Sequence, residues 1–177
     1  MNKENRTVIT GMGMVTSLGL DLETTWQNLL EGRSGVKEIS LFDTVDSETK
    51  IAAEVSPELE AVAKKKIPRR DRKRMTRTTR MSIVAAKEAI ENSGIDFDSY
   101  DRTRIAVIMG VITTSYNDME RAESGSHIVV KSMPNAPSAW ISMNYGLEGP
   151  NFNVSTACAS SAYAIGLGHQ MIKSGIA

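Results

Sequence analysis

The stretch Phe152-Asn-Val-Ser-Thr-Ala-Cys158-Ala-Ser-Ser161 decides how the rest of the chain is read. Phe152 and Val154 alternate as strand residues do, and Ser155, Thr156 and Ala157 then lead to Cys158. From Ala157 to Ile172 the chain is small and apolar on nearly every side, the pattern of a buried helix rather than a surface one. The sequence thus places Cys158 where a strand turns into the start of an interior helix. A helix N-terminus favours a thiolate over a thiol, and the thiolate is the nucleophilic form. Ala157, Ala159 and Ser160 have little bulk, so a thioester could approach, and the first-turn amides could bind a developing oxyanion. The same residues suit a second reading. A lone cysteine among alanine and serine is often a small buried hydrophobe.

Working outward, strand and helix signals alternate. Thr7-Val-Ile-Thr10 is β-rich and runs into the glycine-punctuated stretch Gly11–Gly19, which predicts a strand leaving into a loop. Asp21 can cap a helix with Leu22, Trp26, Leu29 and Leu30 on one stripe, stopped by Gly32 and Gly35. Residues 36–68 are mixed, with a short strand expected near Ile51–Val55 and a turn at Ser56-Pro57. Pro68 opens the next element. Met75, Thr79, Ile83, Ala86 and Ile90 recur at helical spacing until Asn92-Ser93-Gly94. Arg104–Met109 reads as a compact apolar strand, 116–125 as a short helix, 126–138 as loop and Ala139–Tyr145 as a helix stopped by Gly146. Gly166 and Gly168 would let another element pack closely on the last helix. Alternating strands and helices give an α/β fold class.

The bulk composition narrows the function. The 177 residues suit one domain, and 41% hydrophobic with 24% charged residues is ordinary for a globular protein. One cysteine allows no internal disulfide. The N-terminus lacks an apolar signal region, and no stretch approaches the ~20 apolar residues of a membrane helix. These features predict a cytoplasmic protein with no membrane association. Net charge is zero, yet Lys64 to Arg80 holds ten basic residues against the single acid Asp71. Three readings of that run stay open: a solvated helix face, a nucleic-acid surface, or a docking site for an acidic protein. It contains no aromatic residue for base stacking, which weighs against nucleic acid. Gly11-Met-Gly13 is not a dinucleotide fingerprint, because position 16 is threonine and no acid follows at the right spacing. No His/Cys cluster supports a metal site, so neither a metal nor a cofactor is expected.

Taken together, several motifs resemble the β-ketoacyl-acyl-carrier-protein synthases, ketosynthases of the thiolase superfamily. They are Val8-Ile-Thr-Gly-Met-Gly-Met-Val15, Trp26 with Leu29-Leu30-Glu-Gly32, Ser34-Gly35-Val36, Tyr145-Gly-Leu-Glu-Gly-Pro150 and Thr156-Ala-Cys-Ala-Ser160. They run in order over essentially the whole chain, and Tyr-Gly-Leu-x-Gly-Pro resembles the synthase II type. The resemblance implies a thiolase-like layered α/β fold, with residues 1–177 as the N-terminal half, incomplete at its C-terminus. It implies that Cys158 takes an acyl group from acyl carrier protein as a thioester. Decarboxylation of malonyl carrier protein then gives a carbanion that attacks that thioester, in fatty acid biosynthesis.

The resemblance also implies roles for other residues. Arg70, Lys73 and Arg74 match basic positions that dock acyl carrier protein. Ile112 falls where synthase II types carry an isoleucine that gates the acyl pocket, although it could equally be plain core. The stretch Met109-Gly-Val-Ile-Thr-Thr114 departs from the family's glycine-rich turn, which leaves a polyketide ketosynthase subunit as an alternative. A non-catalytic carrier-binding partner of the same fold is another, though such partners typically lack the cysteine. A homodimer is implied, with Phe152–Val154 at its interface. Family members are more than twice this length, and their second half supplies two histidines and a lysine for decarboxylation and condensation. His127 and His169 match neither position. His169 lies eleven residues after Cys158 in the sequence, roughly 16 Å along a helix axis. The isolated chain is therefore not expected to complete condensation.

Overall fold

The computed structural model describes residues 6–113, 116 and 128–177. Its centre is a parallel pair of strands, β3 (Val107–Gly110) and β4 (Asn151–Val154), in the register Val107↔Asn151 through Gly110↔Val154. The other strands are β1 (Lys37–Glu38) and β2 (Ile51–Ala52), an antiparallel pair. The helices are α1 (Leu22–Leu30), α2 (Leu59–Lys66), α3 (Arg69–Arg72), α4 (Arg77–Ser93), α5 (Ile128–Ser132), α6 (Ala136–Tyr145) and α7 (Ser160–Ser174). Parallel strands need a long crossover, and here α5 and α6 lie on it.

Successive strand residues point to opposite faces, so β3 shows how the layers stack. Val107 joins the core formed by Leu59 of α2, Ile83 of α4, Ile141 of α6, and Met75 and Leu147 from the adjoining links. Ile108 faces the other way, and its Cδ1 lies 3.9 Å from where a Cβ on Gly168 of α7 would stand. The strands are thus covered by α6 and α4 on one face and by α7 on the other, a layered α/β arrangement.

Local chemistry explains the helix ends. Asp21 accepts from the Thr24 amide at 2.7 Å and starts α1, as its sequence predicts. Thr76 caps α4, and left-handed Gly94 ends it. Leu59, Ala63 and Ile67 recur every fourth residue and are buried, which makes 59–66 a helix that the surrounding charges conceal in the sequence.

Several expectations are corrected. Thr7–Thr10 forms no strand, because no ladder partner stands beside it among the described residues, and Val8 and Ile9 are 71% and 80% exposed. The segment after it is pinned to α4 instead, through Met12 N to Asn92 Oδ1 (3.2 Å) and Met14 N to Glu88 Oε2 (2.9 Å). Glu88 Oε1 also accepts from Leu22 N at 2.7 Å. On α1, Trp26, Leu29 and Leu30 are exposed, and Thr25 is the buried residue, because the helix packs on its own preceding loop. Residues 126–138 are not simply loop. Pro134 separates α5 from α6, and Pro137 sits in the first turn of α6, where its missing amide costs nothing. The helix expected over 116–125 lies outside the described residues apart from Tyr116, and so does His127.

Candidate functional site

The ladder continues one step past the strands, where Val111 N donates to Val154 O at 3.0 Å. Two segments therefore leave the same, carboxyl end of the parallel pair: one carries Ile112, the other Cys158. In open α/β sheets this end is where ligands gather. After β4 the chain turns sharply. Ala157 has φ of 50°, the left-handed region that non-glycine residues rarely occupy, at a cost of about 1–3 kcal/mol.

Ser160 holds that turn. Its side chain is 3% exposed, and its Oγ donates to Ala157 O at 2.7 Å while accepting from Thr156 N at 2.9 Å. Backbone bonds from Ala159 N to Thr156 O and from Ser160 N to Ala157 O, both 3.1 Å, close it further. Cys158, the one cysteine of the chain, sits on the turn with an exposed, free thiol. Gly110 makes the arrangement possible. A Cβ there would stand 2.4 Å from both Ser160 C and Ser161 N, so only glycine lets the end of β3 lie against the start of α7.

Two details differ from expectation. Cys158 precedes the helix rather than opening it: α7 begins at Ser160, with Ala159 as its cap residue. The helix is also not interior. Only Ser160 and Ala164 are buried, and Ile165 is 72% exposed, because β3 and β4 cover a single side of α7 among the described residues. Among the described residues nothing lies within 4 Å of a Cβ on Gly166, so none of them packs closely there. Cys158 is exposed among the described residues. Ile112 is 60% exposed among the described residues.

The structure brings Arg70, Lys73 and Arg74 together, with Arg69, around an open cleft of about 540 Å³ on α3 and the residues after it. Arg70 has a loose ion pair with Asp71 at 3.7 Å. His169 Nδ1 lies 2.9 Å from Thr7 Oγ1, which makes it a packing residue tying α7 to the N-terminal segment. Sequence reasoning noticed Ser160 only for its small size; its place two residues after the cysteine is the signal that could have marked it as the anchor. Among the described residues no cluster of three or more His, Cys, Asp or Glu could hold a metal, and no helix is long and apolar enough to cross a membrane.

Comparison with known proteins agrees with this geometry. The family model "Beta-ketoacyl synthase, N-terminal domain" matches residues 4–177. The 3-oxoacyl-[acyl-carrier-protein] synthase 2 of Staphylococcus aureus (strain COL) is 30% identical over 185 residues, covering 99% of this chain and 44% of that protein. The chloroplastic 3-oxoacyl-[acyl-carrier-protein] synthase II of Arabidopsis thaliana is 33% identical over 176 residues, covering 92% and 32%. The chain thus spans less than half the length of these curated relatives. Among solved structures, the ishigamide ketosynthase/chain length factor matches with a TM-score of 0.78 at 26% identity, covering 95% of this chain and 44% of that one. A β-ketoacyl synthase from Burkholderia phymatum STM815 matches with a TM-score of 0.74 at 25% identity, covering 95% and 43%. These matches give the layered strands and helices a thiolase-like ketosynthase fold. With its family model matched from residue 4 to residue 177 and its single exposed cysteine on the turn after β4, the chain belongs to the β-ketoacyl synthase N-terminal domain family.

Proposed function

We propose that this chain is the N-terminal, thiolase-like unit of a β-ketoacyl-acyl-carrier-protein synthase, with Cys158 as its acyl-accepting nucleophile. The observation that carries the proposal is the turn itself. A left-handed Ala157, pinned by Ser160, presents the chain's one thiol at the carboxyl end of a parallel strand pair. In the first step the Cys158 sulfur attacks the acyl thioester carbonyl. A new carbon–sulfur bond forms, the bond to the carrier's sulfur breaks, and the carrier leaves as its thiol with the proton that Cys158 gave up. The second step, decarboxylation of malonyl carrier protein and attack on the bound acyl group, belongs to the whole protein, and neither His127 nor His169 is assigned to it.

The cluster of Arg70, Lys73 and Arg74 is proposed as the docking surface for the acidic acyl carrier protein, where charge steers encounter more than it sets affinity. Ile112, exposed at the same strand end as Cys158, is proposed to border the acyl chain. The whole protein is proposed as a cytoplasmic homodimer. The ishigamide ketosynthase/chain length factor among the structural matches supports a polyketide enzyme as the second reading.

The test is acyl transfer in the complete enzyme from acyl carrier protein and from a small thioester mimic. Arg70→Glu with Lys73→Glu is expected to raise KM for the carrier-bound donor and leave the mimic unaffected. Equal loss with both donors would overturn the docking assignment, and transfer that survives Cys158→Ala would overturn the nucleophile.

A further inference from the structure

We propose a second site, adjoining the docking cleft: a cationic cleft behind α3 that binds a phosphate group carrying at least two negative charges. The cleft, about 550 Å³, is lined by Lys64, Arg69, Arg72, Lys73, Arg80 and Lys131, with Met75 as the remaining lining residue. No acidic side chain lines it. It shares Arg69 and Lys73 with the docking cleft, whereas Arg70 and Arg74 line that cleft and not this one.

Four observations carry the assignment. The six cations converge from four helices and the link after α3, with Lys64 in α2 and Lys131 in α5. Like charges gathered this way repel unless an anion offsets them. Of the six, only Arg80 has an ion pair among the described residues, and it shares Glu60 with Arg77. Two guanidiniums are positioned in advance: Arg72 Nε donates to Ile67 O at 3.0 Å, and Arg80 Nη2 to Met75 O at 3.3 Å. Finally, the Arg80 side chain is largely enclosed, and its Nε has no hydrogen-bond partner among the described residues, so its charge is offset by Glu60 alone.

The ligand class follows from the donors. Planar guanidinium forks match phosphate oxygens in pairs, and lysines add point charge. The volume suits a pyrophosphate or a phosphate ester better than a monatomic ion. A phosphate ester free in solution and one carried on a protein share this chemistry, and titrating the chain with a phosphopantetheine-bearing carrier protein beside pyrophosphate, in the parent and in Arg70→Gln, separates them.

The experiment is calorimetric titration of the chain with pyrophosphate at about 0.15 M ionic strength, with acetate as the monoanion control. One pyrophosphate per chain is expected, with a raised melting temperature, since a ligand that binds only the folded state stabilises it. Lys64→Gln with Lys131→Gln is expected to weaken binding at least about tenfold. Neither lysine has a hydrogen bond or ion pair among the described residues, and losing two of six like charges relieves repulsion, so the unliganded melting temperature should equal or exceed the parent's. Arg70→Gln is expected to leave pyrophosphate affinity within about twofold, because Arg70 lines the docking cleft and not this one. No binding, acetate binding equally well, or undiminished binding in the double variant would each overturn the proposal. A large loss with Arg70→Gln would do so as well, by placing the phosphate in the docking cleft.

Discussion

Replacing Gly110 by alanine tests how β3 seats the cysteine turn. The added methyl would stand 2.4 Å from Ser160 C and Ser161 N and 2.6 Å from Ser160 O. These are backbone atoms at a helix start, and no flexible side chain can move aside. Gly110 does not occupy the left-handed region, so its conformation is open to alanine and the cost is purely one of space. Overpacking of this kind costs about 1–3 kcal/mol, and contact with backbone argues for the upper end, about 3 kcal/mol. For a chain this size that lowers the melting temperature by roughly 6–12 °C. Gly166→Ala in α7 is the matched control. Nothing lies within 4 Å of its added methyl, so the variant gains about 0.5–1 kcal/mol of helix propensity and melts slightly higher. Calorimetric melting, with the rate of Cys158 alkylation read alongside, would separate the two. If Gly110→Ala melts with the parent, or both variants lose equally, the close contact between β3 and α7 is misplaced.

The remaining expectations concern the anchors. Ser160→Ala leaves Thr156 N and Ala157 O without their side-chain partner and should cost about 1–3 kcal/mol while slowing Cys158 acylation, whereas exposed Ser161→Ala should do neither; denaturant titration and acylation rates report both. Glu88→Gln keeps one acceptor where two amides are bound, so about 1–2 kcal/mol should be lost, and hydrogen exchange at Met14 and Leu22 should quicken. Burial, with a smaller contribution from Glu91, holds the Tyr145 phenol above its usual value, and its ring packs on Phe97 at 5.3 Å between centroids. The unfolded chain therefore releases that proton first. Stability from this group is complete below the ordinary phenol value near ~10 and falls as pH rises through it, which ultraviolet titration against pH-dependent melting would detect.

The strand-turn-helix around Cys158 was legible because its signals are local: alternation in β4, small residues at the turn, glycine stops at Gly146 and Gly94. The basic positions were legible as charge, and helical spacing brings Arg70, Lys73 and Arg74 together. What could not be read depends on partners distant in sequence. Thr7–Thr10 has strand composition, yet a strand exists only with a ladder beside it. The apolar surface of α7 signals burial, yet it is covered on one side alone. Helix α2 was hidden because its two buried positions, Leu59 and Ala63, lie among lysines and glutamates. The role of Ser160 rests on one hydrogen bond to strained Ala157 and one from Thr156 beside it, and no periodicity encodes that strain.

The most direct measurement is intact-protein mass spectrometry after incubation with an acyl thioester, followed by peptide mapping. One acyl adduct, located on Cys158 and absent from Cys158→Ala, is the predicted result. An unmodified Cys158, or an adduct that persists in Cys158→Ala, would contradict the account.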